Sequence, residues 1–407
     1  MSIYVLATLD TKGDEAAWVC AELKRLGAEV TLIDVGCVGA PTTAPDIDRT
    51  LVFAAAGAAP AELAAAGDRG RAVSAAAEGA ARLVASHFRE GRVSAVLGLG
   101  GSAGTTIGTA AMRTLPLGVP KLMVSTLASG QVKQFVADKD IMMLNPVVDL
   151  AGLNRISRQV LSTAAAALAG VVADRRQRRD EDAGRPLVAA TMFGVTTPCV
   201  VEARRLLEQA GYEVMVFHAT GSGGRSMESL VREGVFAGVL DITTTELADE
   251  LVGGFLSAGG DRLTAAGEMG VPQVVSVGAT DMVNFYGPAT VPAKFQRRTL
   301  HAHNPNVTLM RTTADECEAI GHDIGRKLAA ARGPSALLLP QRGVSDLDRT
   351  GQPFDDPVAR DKLFQSIRRH GRNVPIVTLD LHINDPEFAR AAVLRLLELM
   401  KTNATTN

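Results

Sequence analysis

The chain is poor in aromatic residues: Phe, Trp and Tyr make up 4% of its 407 positions, although 46% are hydrophobic. Its apolar content is therefore mainly Ala, Val and Leu, side chains that suit buried parallel strands covered by closely packed helices. Cysteine is scarce as well. The four residues Cys20, Cys37, Cys199 and Cys317 show no CxxC spacing, which argues against a disulfide framework or a thiolate zinc site and fits a reducing, cytoplasmic compartment. An excess of charge of one sign is also missing. The 42 Lys plus Arg oppose 44 Asp plus Glu, and the net charge of -2 gives no bulk field for nucleic acid or anionic lipid. Residues 1–9 lack a basic segment, and the longest apolar run, 164–173, falls short of the roughly 20 residues a membrane span needs. The expectation is a cytoplasmic protein that binds neither nucleic acid nor membrane.

What is present is an α/β pattern punctuated by glycine. Residues 3–9 read as a strand, Ala16, Val19, Cys20, Leu23 and Leu26 recur at helical spacing, and Gly27 precedes a second strand over 29–35. Strands are predicted over 93–97 and 121–126 with a helix from Thr105 between them, and a helix over 154–175 closes the first half. The charged stretch 175–185 separates a domain over 1–178 from one over 186–407. The second half restarts in the same way: strand 187–192, a polar turn, a helix from Pro198, then strand 213–218, with GAEV (27–30) answered by GYEV (211–214). Strands over 238–242, 273–277, 336–339 and 374–379 continue it. The pattern predicts two Rossmann-like, doubly wound parallel-sheet domains related as an internal repeat.

In open α/β sheets, ligands collect beyond the carboxyl ends of the strands. After the strand at 93–97, Gly100, Gly101 and Gly104 allow backbone amides to converge on an anion, and Ser102, Thr105 and Thr106 add hydroxyls at the start of a helix. This loop has neither the GK[ST] of a Walker motif nor GxGxxG spacing, and a tight turn is its plain alternative. In the turn Asp10, Thr11, Lys12, the lysine precedes a helix N-terminus, where a cation is disfavoured unless an anion lies between them or the side chain reaches into water. Ser129 and Gly130 end a third polar loop. In the second half Gly221, Ser222, Gly223, Gly224 and Arg225 open a helix with donors for a second anionic ligand, or form a solvated turn. His218 and Asp241 stand at strand ends as weak candidates for an acid–base pair. His301 and His303 lack the helical HExxH context, so no metal site is expected there.

Longer stretches are more specific than any glycine loop. ATLDTKGDE (7–15), GLGGSAGTT (98–106), TMFGVTTPCV (191–200), VFHATGSGGRSMESL (216–230) and HINDPEFA (382–389) make the chain resemble the Tm-one-like ATP-binding family, which includes the N-terminal domain of a plant tobamovirus-resistance protein. The resemblance implies two Rossmann-like domains, ATP on the first and a homodimer; it implies no reaction. It carries nucleotide contacts onto Asp10, Thr11, Lys12, Gly100, Gly101, Ser102, Gly104, Thr105, Thr106, Ser129 and Gly130, while Gln131 and Val132 depart from the family pattern. The functional expectation is an ATP-binding protein that uses Mg²⁺. One form of it is an ATP-dependent enzyme acting on a small acidic metabolite. The alternative is a nucleotide-binding regulatory module that controls a protein partner without catalysis. A third reading, an NAD-linked dehydrogenase, is kept open by Asp34 after the second strand.

Overall fold

The first strand, β1 (Ser2–Ala7), sends Ile3, Val5 and Ala7 to one side and Tyr4 and Leu6 to the other, and all five are buried. Both faces of its sheet must therefore be covered. In the computed structural model, helices Leu9–Arg25 and Arg155–Gln177 cover the first face, and Arg49–Ala55, Arg69–Arg89 and Ser102–Arg113 cover the second. The structure describes residues 1–59, 63, 67–130, 132–177 and 184–404; Gln131 and linker residues 178–183 lie outside them. The chain divides into two compact units, Met1–Ala183 and Gly184–Asn407.

The sheet of the first unit adds β2 (Val30–Asp34), β3 (Val93–Gly100), β4 (Lys121–Ser125) and β5 (Met142–Leu144), parallel throughout and ordered β2-β1-β3-β4-β5. Neighbouring strands β1 and β3 send their following helices to opposite faces, so a crevice opens between their carboxyl ends. Over Arg155–Arg175 the last helix is long and apolar enough to cross a membrane by length and composition, but its Leu161, Ala164, Ala165, Leu168 and Val172 fill the core of this unit.

The second unit contains a six-stranded parallel sheet and a separate antiparallel one. β6 (Leu187–Met192), β7 (Glu213–His218), β8 (Gly238–Thr243) and β9 (Gln273–Gly278) are followed by β10 (Met282–Phe285), β11 (Leu300–Asn304) and β12 (Val307–Arg311), then by β13 (Ser335–Pro340) and β14 (Ile376–Leu379). The large sheet runs β14-β13-β9-β8-β6-β7, so with the insertion set aside its first five strands repeat the order of the first unit. The internal repeat is thus a repeat of topology. The antiparallel sheet β10-β12-β11 was not foreseen, because β11 reads Leu-His-Ala-His-Asn and is mostly exposed, without an apolar face to reveal it. Its inner residues Val283, Phe285 and Met310 pack with helices Ala314–Ala329 and Pro357–His370 on one face of the large sheet. Helices Thr197–Gln209 and Pro386–Ala404 cover the other.

Candidate functional site

β1 runs directly into helix Leu9–Arg25, which leaves helical geometry at Lys12 (φ −132°, ψ 24°); the expected polar turn is a single helical turn followed by this kink. β3 ends at Gly100, and the chain turns at Gly101 into helix Ser102–Arg113. The two segments line one cleft of ≈ 260 Å³. Thr8, Asp10, Thr11 and Lys12 come from the first, residues 101–104 from the second, and Cys37, Val38, Arg69 and Val73 from elsewhere in the unit. Gly101 has no side chain with which to cap this helix, and the first amides have no intrahelical acceptor at the positive end of the dipole. Among the described residues Lys12 and Arg69 have no carboxylate partner. The cleft is therefore rich in donors and positive.

The carboxylates nearby are already engaged. Oδ2 of Asp10 accepts hydrogen bonds from Val38 N (3.0 Å) and Gly39 N (3.1 Å), which fixes the loop after β2, and Oδ1 is buried without a partner. Asp34 is fully buried: Oδ1 accepts from Leu9 N (3.1 Å) and Gly36 N (2.8 Å), and Oδ2 from Arg49 Nε (2.6 Å). An acid closed in this way cannot bind the ribose of NAD, and the dehydrogenase reading loses its one support.

Six of the expected nucleotide contacts, Asp10, Thr11, Lys12, Gly101, Ser102 and Gly104, meet in this cleft. Of the others, Thr105, Thr106 and Gly100 make contacts within the chain. The buried Thr105 hydroxyl donates to Gly101 O (2.8 Å) and lies 2.6 Å from Ser125 Oγ, and that of Thr106 donates to Ser102 O (2.9 Å). Gly100 packs on Gly104, where a Cβ would sit 3.0 Å from its Cα. Ser129 and Gly130 lie in an exposed turn after β4 and do not line the cleft. Arg69 was missed, because nothing local in the sequence brings the start of helix Arg69–Arg89 to the ends of β1 and β3.

In the second unit the loop at 221–225 already holds an anion, and it is the protein's own. Gly221 N and Gly224 N donate to Glu246 Oε1 at 2.7 and 3.1 Å, and Arg225 Nη1 donates to Ser257 O (3.0 Å). Glu246 Oε2 in turn accepts from the fully buried Arg262 (2.7 Å), which also makes two bonds to Asp241 (2.5 and 2.7 Å) and one to Glu228 (3.1 Å). Burial opposes the charge on Arg262, and Asp241, Glu246 and Glu228 outweigh it, holding the guanidinium well above its ordinary pKa. The expected second anionic site is corrected accordingly: Ser222 is exposed, and the glycines serve packing and an internal carboxylate. At Gly223 a Cβ would overlap the His218 carbonyl oxygen. Gly223→Ala is therefore expected to destabilise the second unit by about 1–3 kcal/mol, read as a lower urea midpoint at unchanged slope.

The proposed pairing of His218 with Asp241 also fails. β6 lies between their strands, Asp241 is closed by Arg262 and by Thr191 Oγ1 (2.7 Å), and the exposed His218 packs on Phe193 at 5.6 Å between ring centres. Ser345, His382 and Asp281 come together without forming a catalytic triad. Ser345 Oγ donates to Asp281 Oδ2 (2.7 Å), while the imidazole Nε2 meets the Ser345 carbonyl (2.9 Å) and Nδ1 accepts from Asn384 N (3.1 Å). Burial lowers the His382 pKa, so this ring is neutral and structural. Burial also raises the carboxyl of Asp281 to about 7, with Asp348 adding to the effect. His301 packs on Phe354, and His303 is exposed on β11. All four cysteines are free thiols, and burial pushes Cys20 and Cys37 up to about 11 and Cys199 to about 12, which keeps these three protonated near neutrality.

Comparison with known proteins places these features in a family. Residues 1–177 match the N-terminal domain and 185–400 the C-terminal domain of an uncharacterised protein family (UPF0261). A UPF0261 protein of Clostridium tetani is 46% identical over 98% of this chain and 99% of its own length, and one of Mesorhizobium japonicum is 48% identical over 96% and 97%. The ToMV resistance protein Tm-1 of Solanum lycopersicum is 46% identical over 76% of this chain, a match that spans 42% of the tomato protein. With both of its units matched, the chain belongs to the UPF0261 family.

Proposed function

We propose that the first unit binds ATP with Mg²⁺ in the cleft between the ends of β1 and β3. The observation that carries this reading is the convergence of an uncapped helix N-terminus with Lys12 and Arg69 in one cleft at the switch point of a parallel sheet. The phosphate chain is the part of the ligand this chemistry suits, since its oxygens only accept. Mg²⁺ is bound through one or two carboxylates together with substrate phosphates, and the residues present fit that pattern. Asp10, whose Oδ1 has no partner, and the hydroxyls of Thr11 and Ser102 would hold it, and the ion would neutralise phosphate charge.

Binding without conversion is the form of this function that the geometry favours. The loop at 221–225, expected to take a small acidic metabolite, holds Glu246 instead. Nucleotide occupancy would then act by shifting the arrangement of a cytoplasmic homodimer toward or away from a protein partner. Lys12→Ala tests the cleft. Losing one charged donor to phosphate corresponds to about 1.5–3 kcal/mol, so the Kd for ATP with Mg²⁺ is expected to rise between about 10- and 100-fold by calorimetric titration. An unchanged Kd in the folded variant would remove Lys12 from the site.

A further inference from the structure

We infer that the cleft selects its ligand by the phosphate chain and is indifferent to the ribose hydroxyls, so that its ligand class is the polyphosphates, with or without a nucleoside. This rests on the nucleotide reading above and goes beyond it. A protein recognises a ribose hydroxyl chiefly by offering an acceptor, and in the dinucleotide-binding α/β fold that acceptor is the carboxylate after the second strand. Here the residue is Asp34, whose two oxygens are taken by Leu9 N, Gly36 N and Arg49 Nε in a fully buried position.

The other carboxylate at the cleft is no better placed for this role. Asp10 spends Oδ2 on the amides of Val38 and Gly39, and its Oδ1, unpartnered among the described residues, is the oxygen that Mg²⁺ would take in the reading above. The Thr8 and Thr11 hydroxyls face each other at 2.9 Å, and Thr11 donates to Thr8 O. Apart from the Thr11 and Ser102 hydroxyls assigned to Mg²⁺ above, what remains is a set of donors: Lys12, Arg69 and the first amides of helix Ser102–Arg113. Such a set is matched by phosphate oxygens and is wasted on hydroxyl groups, which a bare cation cannot accept from. Size points the same way. At ≈ 260 Å³ the cleft lies below the roughly 300–1,000 Å³ of pockets that enclose a drug-sized ligand, so the phosphates sit inside and the nucleoside extends over the rim.

The experiment is a calorimetric titration of the whole chain with ATP, dATP and inorganic tripolyphosphate, each with Mg²⁺, followed by displacement of bound ATP with tripolyphosphate. The expected result is a dATP Kd within about threefold of that for ATP, together with full displacement of ATP by tripolyphosphate. If ATP binds but dATP is weaker by about tenfold or more, or if tripolyphosphate fails to displace ATP, the inference is overturned while the nucleotide reading survives. If tripolyphosphate binds and ATP does not, the nucleotide reading fails and the polyphosphate class stands. If none of the three binds, both fall.

Discussion

Arg262→Met is expected to unfold the second unit at neutral pH. Arg262 is the one guanidinium among three buried carboxylates, Asp241, Glu246 and Glu228, none of them more than 5% exposed. Removing one partner of a buried ion pair costs about 3–5 kcal/mol because the remaining charge is left uncompensated. Here three are left, against a total stability on the order of 5–15 kcal/mol. The carboxylates also position backbone: Glu246 holds Gly221 N and Gly224 N, and Glu228 holds Leu263 N and Ala265 N. Losing Arg262 therefore loosens the loop at 221–225 and the start of helix Ala265–Met269 together.

The sign of the pH dependence follows from the same network. Burial raises the Glu228 carboxyl above its ordinary range and Arg262 opposes that rise, so without the guanidinium the folded-state rise is larger, while the unfolded value stays at about 4. Stability contributed by such groups is present below about pH 4 and is lost as the pH rises through the folded values, so the deficit of Arg262→Met should shrink as the pH is lowered from 7 toward 4. Urea unfolding of wild type and variant at several pH values, followed by circular dichroism, measures this. A deficit under about 1 kcal/mol at pH 7 would show that the cluster is solvated and not the buried hub described.

The nucleotide cleft carries the second large effect, and there the glycine chemistry runs the other way. Gly101 has an ordinary φ of −83°, and a Cβ on it would meet nothing closer than Thr126 Oγ1 at 3.7 Å. Gly101→Val is therefore accommodated by the fold, unlike Gly223→Ala. Its branched side chain would stand at the mouth of helix Ser102–Arg113, where phosphate must approach the amides. The expected outcome is a loss of at least about 100-fold in ATP affinity, or about 3 kcal/mol, with an unfolding midpoint within a few degrees of wild type.

The contrast between these two glycine loops shows how far the sequence could be read. β6 and β7 were legible to the residue because their apolar runs are bounded by Pro186 at one end and by Gly211 between them. The loops at 98–106 and 221–225 carry the same signature, glycines and hydroxyls after a strand and before a helix. Only the folded chain reveals that in the second the anion is Glu246, some twenty positions downstream and brought there by β8. Arg69 and Val73 reach the cleft through tertiary packing alone, and the role of Asp34 turns on Arg49, which no spacing rule connects to it. The hydroxyl of Thr105 shows the same limit: in the sequence it reads as a donor to ligand, and in the fold it meets Ser125 at the end of β4.

The most direct test of the central claim is a side-by-side calorimetric titration of ATP with Mg²⁺ into wild type and Gly101→Val. Saturable one-site binding in the micromolar to millimolar range by wild type, absent from a folded variant, is the predicted result. Equal affinity in the two proteins, or no binding by wild type up to millimolar ATP, would contradict it.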